Sequence, residues 1–264
     1  MKFLVQQQPS YVYTGGQDFA VTKPSVVFIH GTANDHSVWT LMARYFAHHG
    51  WNALALDLPG HGKSFGNAKT SIASAADWII SLLDHGNINR AAWVGHSMGS
   101  LIALDAAARY PTRVSQLALI GTSVPMPVSD ALMDAATHRF NEAVDMLNIW
   151  GHAPRLKWGS NPTPGNCTMM AGRRLLTQSR PGVLATDLAA CRAFAMDDAA
   201  MAAIKVPVLI MAGASDQLTP PIAAELLSTR LGNVSMKTLD GVGHSMMQEA
   251  PGEVIDTLKK FLKP

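Results

Sequence analysis

The sequence predicts an α/β fold built on a mostly parallel sheet with helices on both faces. Three observations predict it: short apolar runs alternate with segments of helical period, several runs are apolar throughout, and a serine between two glycines joins one run to one helix. In chain order, segments 2–8 and 11–14 read as an edge hairpin. Runs 26–29, 53–56, 91–94, 117–120 and 206–211 are continuous apolar stretches bounded by turn residues, as expected of central strands buried on both faces. Segment 234–239 reads as the final strand. Helices are expected near 38–49, 72–85, 101–109, 222–231 and 253–262. In the third of these, Leu101, Ile102, Leu104, Ala107 and Ala108 recur at helical spacing until Tyr110-Pro111, where proline stops the helix. The alternation breaks between 123 and 205, a stretch with six prolines, no convincing strand and helical patches at 131–150 and 173–203. This segment is expected to be a helical lid inserted over the strand ends, dividing the chain into a core of 1–122 and 206–264 and a lid of 123–205.

With 264 residues, 48% of them hydrophobic and 15% charged, the chain has the balance of a soluble globular enzyme. A net charge of +2 with no basic stripe argues against a nucleic-acid partner. Residues 1–8 hold one lysine and only three consecutive apolar residues, too short a run for a signal peptide. No run approaches the roughly 18 apolar residues that cross a bilayer. A cytoplasmic location without a membrane partner is therefore expected, and the oligomeric state stays open. Cys167 and Cys191 lie 24 residues apart, which matches neither a metal knuckle nor a redox pair, so two free thiols are expected.

The chemistry centres on Gly95-His96-Ser97-Met98-Gly99, which follows the run 91–94 and opens the next helix. A serine on such a strand-to-helix turn is held in a strained conformation with its hydroxyl above the sheet, and the flanking glycines let the backbone close up. A hydroxyl is a poor nucleophile until a base takes its proton and a third group orients that base. Of ten histidines only His138, His152 and His244 follow Ser97, and His244 alone lies in a glycine-rich loop directly after the last strand. Asp216 emerges after the run 206–211, whereas Gly121-Thr122-Ser123 after the preceding strand carries no carboxylate. Ser97, Asp216 and His244 are thus the expected triad, in the order that accompanies an elbow serine. Met98 N–H, at the start of its helix, is one expected oxyanion donor. The other is expected from His30-Gly31-Thr32-Ala33, with Thr32 preferred to Ala33 and His30 a buried structural residue.

Asp57-Leu58-Pro59-Gly60-His61-Gly62-Lys63-Ser64 invites a phosphate-binding reading, but a P-loop would require glycine where Asp57 stands, and Gly60, Gly62 and Gly66 miss the dinucleotide spacing by one residue. The segment reads as a tight turn. No metal-ligand spacing is present, and neither metal nor cofactor is expected.

Taken together, His30-Gly31, the segment 57–64, the elbow at Ser97, and Gly243-His244 with Glu249 and Pro251 following, make the chain resemble the α/β-hydrolase superfamily nearly end to end. The resemblance implies an eight-stranded, mainly parallel sheet, a lid after the sixth strand, and Ser97, Asp216 and His244 as the triad. Serine at 97 argues against the aspartate-nucleophile branches, and Met98 stands where proline iminopeptidases carry tryptophan. The expected activity is serine hydrolysis of small to medium, mostly apolar carboxylic esters through an acyl-enzyme on Ser97. The same triad would serve a carbon–carbon bond hydrolase or an enol-lactone hydrolase, and a ligand receptor that keeps the pocket without turnover is a further alternative. Seven of the fourteen methionines fall in 123–205, under a third of the chain, which suits an adaptable apolar pocket as well as a small core of the lid itself. Met126, Met133, Trp150, Trp158 and, outside the lid, Met246 are the pocket candidates. Arg155 and Lys157 read as a solvated basic patch rather than a carboxylate site.

Overall fold

The computed structural model describes residues 1–159, 161 and 165–264, with Trp158 described by its backbone alone. Among the described residues, eight strands form one sheet: β1 (Lys2–Val5), β2 (Gln8–Tyr13), β3 (Ser25–Ile29), β4 (Asn52–Leu56), β5 (Ala91–His96), β6 (Val114–Ile120), β7 (Val208–Gly213) and β8 (Val234–Leu239). Their spatial order is β1-β2-β4-β3-β5-β6-β7-β8. Only β1–β2 and β2–β4 pair antiparallel. The core helices are α1 (Thr40–His48), α2 (Ile72–His85) and α3 (Met98–Arg109). Between β6 and β7 the chain forms α4 (Asp130–His138), α5 (Phe140–Trp150), α6 (Thr168–Thr177), α7 (Val183–Ala193) and α8 (Asp198–Ala203). The chain closes with α9 (Pro221–Ser228), α10 (Met246–Glu249) and α11 (Pro251–Phe261).

The apolar runs split by parity. Val27, Ile29, Leu54, Leu56, Trp93, Leu117, Leu119 and Ile210 enter the cluster that holds α2 and α3. Their neighbours Val26, Phe28, Ala53, Ala55, Val94, Ala118, Ile120, Leu209 and Met211 enter the opposite cluster, with α1 and α11. Side chains alternate across a strand, so a run apolar at every position is what two covered faces require. A third cluster lies within the insertion, where Leu132, Ala135, Val144, Leu176, Leu184 and Leu188 gather around Ala33 of the core. The insertion is not packed on itself alone, since Met126, Cys191, Met201 and Ile204 belong to the α2–α3 cluster.

Several boundaries differ from expectation for local reasons. The first strand stops at Val5 because Gln6 and Gln7 form the hairpin turn, both with positive φ (49° and 62°). Such turns ordinarily announce themselves with Asn-Gly, and glutamine gives no signal. The strand expected from 206 begins at Val208, after Pro207, which has no N–H to give a ladder. The helical patch 131–150 is broken at Arg139, and 173–203 is broken at Gly182 (φ 80°) and again before Asp197, whose side chain caps α8.

The order of the strands fixes where a site can form. The chain leaves β3 for β4 on one side, then returns to place β5 on the other. Loops after β3 and β5 therefore diverge and leave a crevice at the carboxyl ends of these strands.

Candidate active site

Ser97 occupies the crevice on the β5 side. Its backbone lies at φ 54°, ψ −121°, a conformation that a residue with a side chain adopts only under constraint and at a cost of about 1–3 kcal/mol. The constraint is close packing. A Cβ on Gly95 would meet the Gly99 carbonyl, and one on Gly99 would meet the Ile29 carbonyl, so β3, β5 and α3 approach only because both positions are glycine. Ser97 N–H donates to Ile120 O (2.9 Å). The Ser100 hydroxyl donates to Ser97 O (2.5 Å) and lies 2.9 Å from Thr122 Oγ1. Ser97 Oγ makes no hydrogen bond to a described residue.

Asp216 and His244 meet on the same side of the sheet, beyond the ends of β7 and β8. His244 Nδ1–H donates to Asp216 Oδ2 at 2.8 Å, which leaves Nε2 with its lone pair. Asp216 accepts three further bonds, from Leu218 N–H (2.8 Å), Thr219 N–H (2.9 Å) and the Thr219 hydroxyl (2.7 Å). Burial pushes its carboxyl up, but the charge and hydrogen bond of His244 and the Thr219 donors outweigh burial and hold it below the usual carboxylate value. The Thr219 hydroxyl also lies 3.1 Å from His244 Nδ1, so it touches both members of the pair. His96 backs the arrangement: its Nε2–H donates to the His244 carbonyl (2.9 Å), and its ring lies 4.6 Å from the His244 ring. Burial, and next the nearby His244, push the His96 imidazole down to about 3, so it is a neutral prop. Glu249 ties the same loop to the insertion, accepting from Gly243 N–H (3.0 Å) and Ala153 N–H (3.2 Å) through one oxygen.

Ser97, His244 and Thr32 line one cavity of about 870 Å3, mouth included. Met126, Val128, Leu132, Leu147, Leu176 and Leu188 of the insertion supply much of its apolar wall. Among the pocket candidates, Met126 lines this cavity. Met133 and Trp150 do not, because both pack against the insertion's own cluster. Met246 is fully buried in the α1–α11 cluster, and its neighbours Ser245, Met247 and Gln248 line the cavity in its place. The Trp158 side chain lies outside the described residues.

The amides of the loop after β3 differ in their partners. Ala33 N–H is taken by Asp187 Oδ2 (2.8 Å), which removes it as a donor to a ligand. Thr32 N–H has no acceptor among the described residues, and Met98, as the first residue of α3, carries an N–H with no intrahelical acceptor. His30 is wholly buried, with Nδ1–H donating to Gly31 O (2.8 Å) and Nε2 accepting from Leu58 N–H (3.2 Å). Burial, then the charge of His61, lower it to about 4.

Sequence reasoning missed Thr219, the support from His96, Asp187, and Asn148 and His152, which line the cavity. Thr219, three residues beyond an aspartate at a turn, carried the signal of a capped loop. Asp187 carried none. One group of metal-ligand type converges among the described residues, Asp35, His36 and Asp57, with ligand atoms within 4.8 Å of one another. Their atoms are engaged in the turn itself: Asp57 accepts from His36 N–H (2.7 Å), His36 Nδ1–H (2.8 Å) and Lys63 N–H (2.8 Å), and Asp35 caps Ser37 N–H (2.8 Å).

Residues 26–257 match the sequence profile of the Alpha/beta hydrolase family. The chain belongs to the α/β hydrolases. A pimeloyl-acyl-carrier-protein methyl ester esterase of Aromatoleum aromaticum is 30% identical to this hydrolase over 248 residues, 88% of this chain and 95% of that one. A strigolactone esterase of Arabidopsis thaliana is 26% identical over 259 residues, 91% of this chain and 93% of that one. Among solved structures, an enol-lactonase from Burkholderia xenovorans superposes with a TM-score of 0.87 over 99% of each chain at 21% identity, a likeness of fold. No helix among the described residues is long and apolar enough to cross a membrane.

Proposed function

We propose that this hydrolase is a serine carboxylesterase acting on small to medium, mostly apolar esters, with the helices of 123–205 as its lid. The observation that carries the reading is that His244, paired with Asp216 at 2.8 Å, lines the same cavity as a strained serine on a strand-to-helix elbow. In the mechanism, His244 Nε2 takes the Ser97 proton as Oγ attacks the ester carbonyl. The Met98 and Thr32 amides receive the developing oxyanion. Asp216 stabilises the imidazolium, which then protonates the departing alkoxide. Water, activated by the same nitrogen, attacks the acyl-enzyme and releases the acid. The apolar wall formed by Met126, Val128, Leu132, Leu147, Leu176 and Leu188 supports the preference for apolar acyl or alcohol groups.

The test is a nitrophenyl ester assay of Ser97→Ala, with mass spectrometry of the wild-type chain caught mid-turnover. The expected result is loss of turnover in the variant and an acyl adduct on Ser97. Full activity in the variant would overturn the proposal. A kcat/KM orders of magnitude higher on a dienoic ring-cleavage product than on matched esters would replace the esterase reading with carbon–carbon bond hydrolysis.

A further inference from the structure

We propose that Asp187, on insertion helix α7, is a positioning residue for the oxyanion loop, so that the Thr32 donor is fully held only while α7 is docked on the core. The inference rests on the reading of Thr32 as an oxyanion donor.

The loop is a tight turn across residues 31–34, closed by Asn34 N–H donating to Gly31 O (3.2 Å). Its third residue, Ala33, has φ 54°, the region that such a turn requires at this position and that glycine ordinarily supplies. An alanine stays there only when its surroundings over-determine it. Two successive peptides are pinned from opposite ends. The Gly31–Thr32 peptide is held by its carbonyl, which accepts from His30 Nδ1–H (2.8 Å) as well as from Asn34, and a trans peptide then directs Thr32 N–H the other way. The Thr32–Ala33 peptide is held by its N–H, which donates to Asp187 Oδ2 (2.8 Å).

The clamp comes from a single face of one helix. Asp187 and Cys191 stand four residues apart on α7, and Cys191 Sγ lies 4.0 Å from Thr32 Oγ1. The Ala33 methyl sits in the insertion's cluster with Leu184 and Leu188 of the same helix. Asp187 is itself immobilised: His61 Nε2–H donates to its Oδ2 (2.9 Å), while His61 Nδ1–H donates to Pro59 O (3.0 Å). The His61 ring and the Asp187 carboxylate are both buried, with 2% of each side chain exposed, so the carboxylate has no solvated alternative in this arrangement. If α7 lifts, Ala33 loses its acceptor and its apolar contacts together, and the strained turn is free to relax.

The experiment compares steady-state kinetics of Asp187→Ala, Asp187→Asn and an Asp187→Leu/His61→Leu double variant on one nitrophenyl ester, with Ser97→Ala as control. Asp187→Ala is expected to lower kcat about 10–100-fold with KM within about threefold, because oxyanion donors act in the transition state. Asparagine keeps an oxygen for Ala33 N–H and should hold kcat within about threefold. Should Asp187→Ala fail to fold, the double variant leaves no orphaned buried charge, so it tests the same loss in a folded chain. Wild-type kcat in Asp187→Ala or in the double variant, with Ser97→Ala inactive, would overturn the positioning role alone. An active Ser97→Ala would instead overturn the esterase reading beneath it.

Discussion

Two histidine–aspartate pairs flank the cavity, one at the ends of β7 and β8, the other between the turn after β4 and helix α7. Their distances are nearly equal, 2.8 Å for His244–Asp216 and 2.9 Å for His61–Asp187. Each has a second buried histidine beside it, His96 at 4.6 Å and His30 at 4.8 Å between ring centres. They differ in the ring nitrogen that the aspartate leaves over. His244 gives Nδ1 to Asp216 and keeps Nε2 for the cavity, whereas His61 gives Nε2 to Asp187 and spends Nδ1 on the Pro59 carbonyl. With both nitrogens donating to acceptors, His61 is held as a cation, and its pKa is raised: burial opposes the charge, but the Asp187 charge and hydrogen bond prevail. A histidine–aspartate pair is therefore a base or a latch according to what faces its second nitrogen.

Alanine at the two histidines should separate these roles most sharply. His244→Ala, like Ser97→Ala, is expected to reduce kcat by on the order of a millionfold, because nucleophile and base act as a unit, and to cost less stability than loss of His61, because Asp216 keeps its three donors from Leu218 and Thr219. Asp216→Asn should follow at about 10^4-fold, read as kcat on the same ester, since the amide favours the wrong imidazole tautomer. His61→Ala should reverse the pattern. Leaving Asp187 buried and unpaired is expected to cost about 3–5 kcal/mol of stability, measured by denaturant unfolding, which would exceed the effect of His244→Ala on the same measurement. Equal stability losses at the two histidines would end the distinction between base and latch. Thr219→Val, which removes one donor from Asp216 while leaving the pair in place, is expected to lower kcat about tenfold, with Thr219→Ser near wild type.

The smallest effect per step is the pH dependence of stability. His30 and His96 are neutral in the fold, at about 4 and about 3, against 6.5 in the unfolded chain. The unfolded state thus binds the extra protons, and stability falls as pH drops below 6.5 by about 1.4 kcal/mol per unit for each ring. His61 acts in the opposite sense. Its raised pKa gives stability that is complete below 6.5 and is lost as pH rises through the folded value. Asp216 contributes above 3.8 and loses that contribution as pH falls through its lowered value. Unfolding free energy measured from pH 4.5 to 9 should therefore show an acid limb steeper than the alkaline one, and replacing His61 should remove the alkaline limb and also soften the acid limb, because the His61 charge helps to lower His30.

Where a feature was built by neighbours in sequence, it was legible. The strands from 26 to 120 were readable because burial on both faces leaves unbroken apolar runs, and the elbow was readable because Gly95 and Gly99 flank Ser97 at a strand end. Met133, Trp150 and Met246 were not assignable, since methionine and tryptophan suit a core and a pocket equally and only packing separates the two. The edge hairpin was legible, but the place of its turn at Gln6 and Gln7 was hidden by residues that rarely take positive φ.

The sequence alone determined the α/β alternation, the place of Ser97 at a strand-to-helix turn, and the family, because each depends on local backbone preference and on the period of apolar residues. Tertiary structure alone decided which aspartate meets which histidine nitrogen and that Ala33 N–H reaches Asp187 across 154 residues. Hydrogen bonds of that range are fixed by how helices pack over a sheet, and a one-dimensional pattern carries no record of that packing.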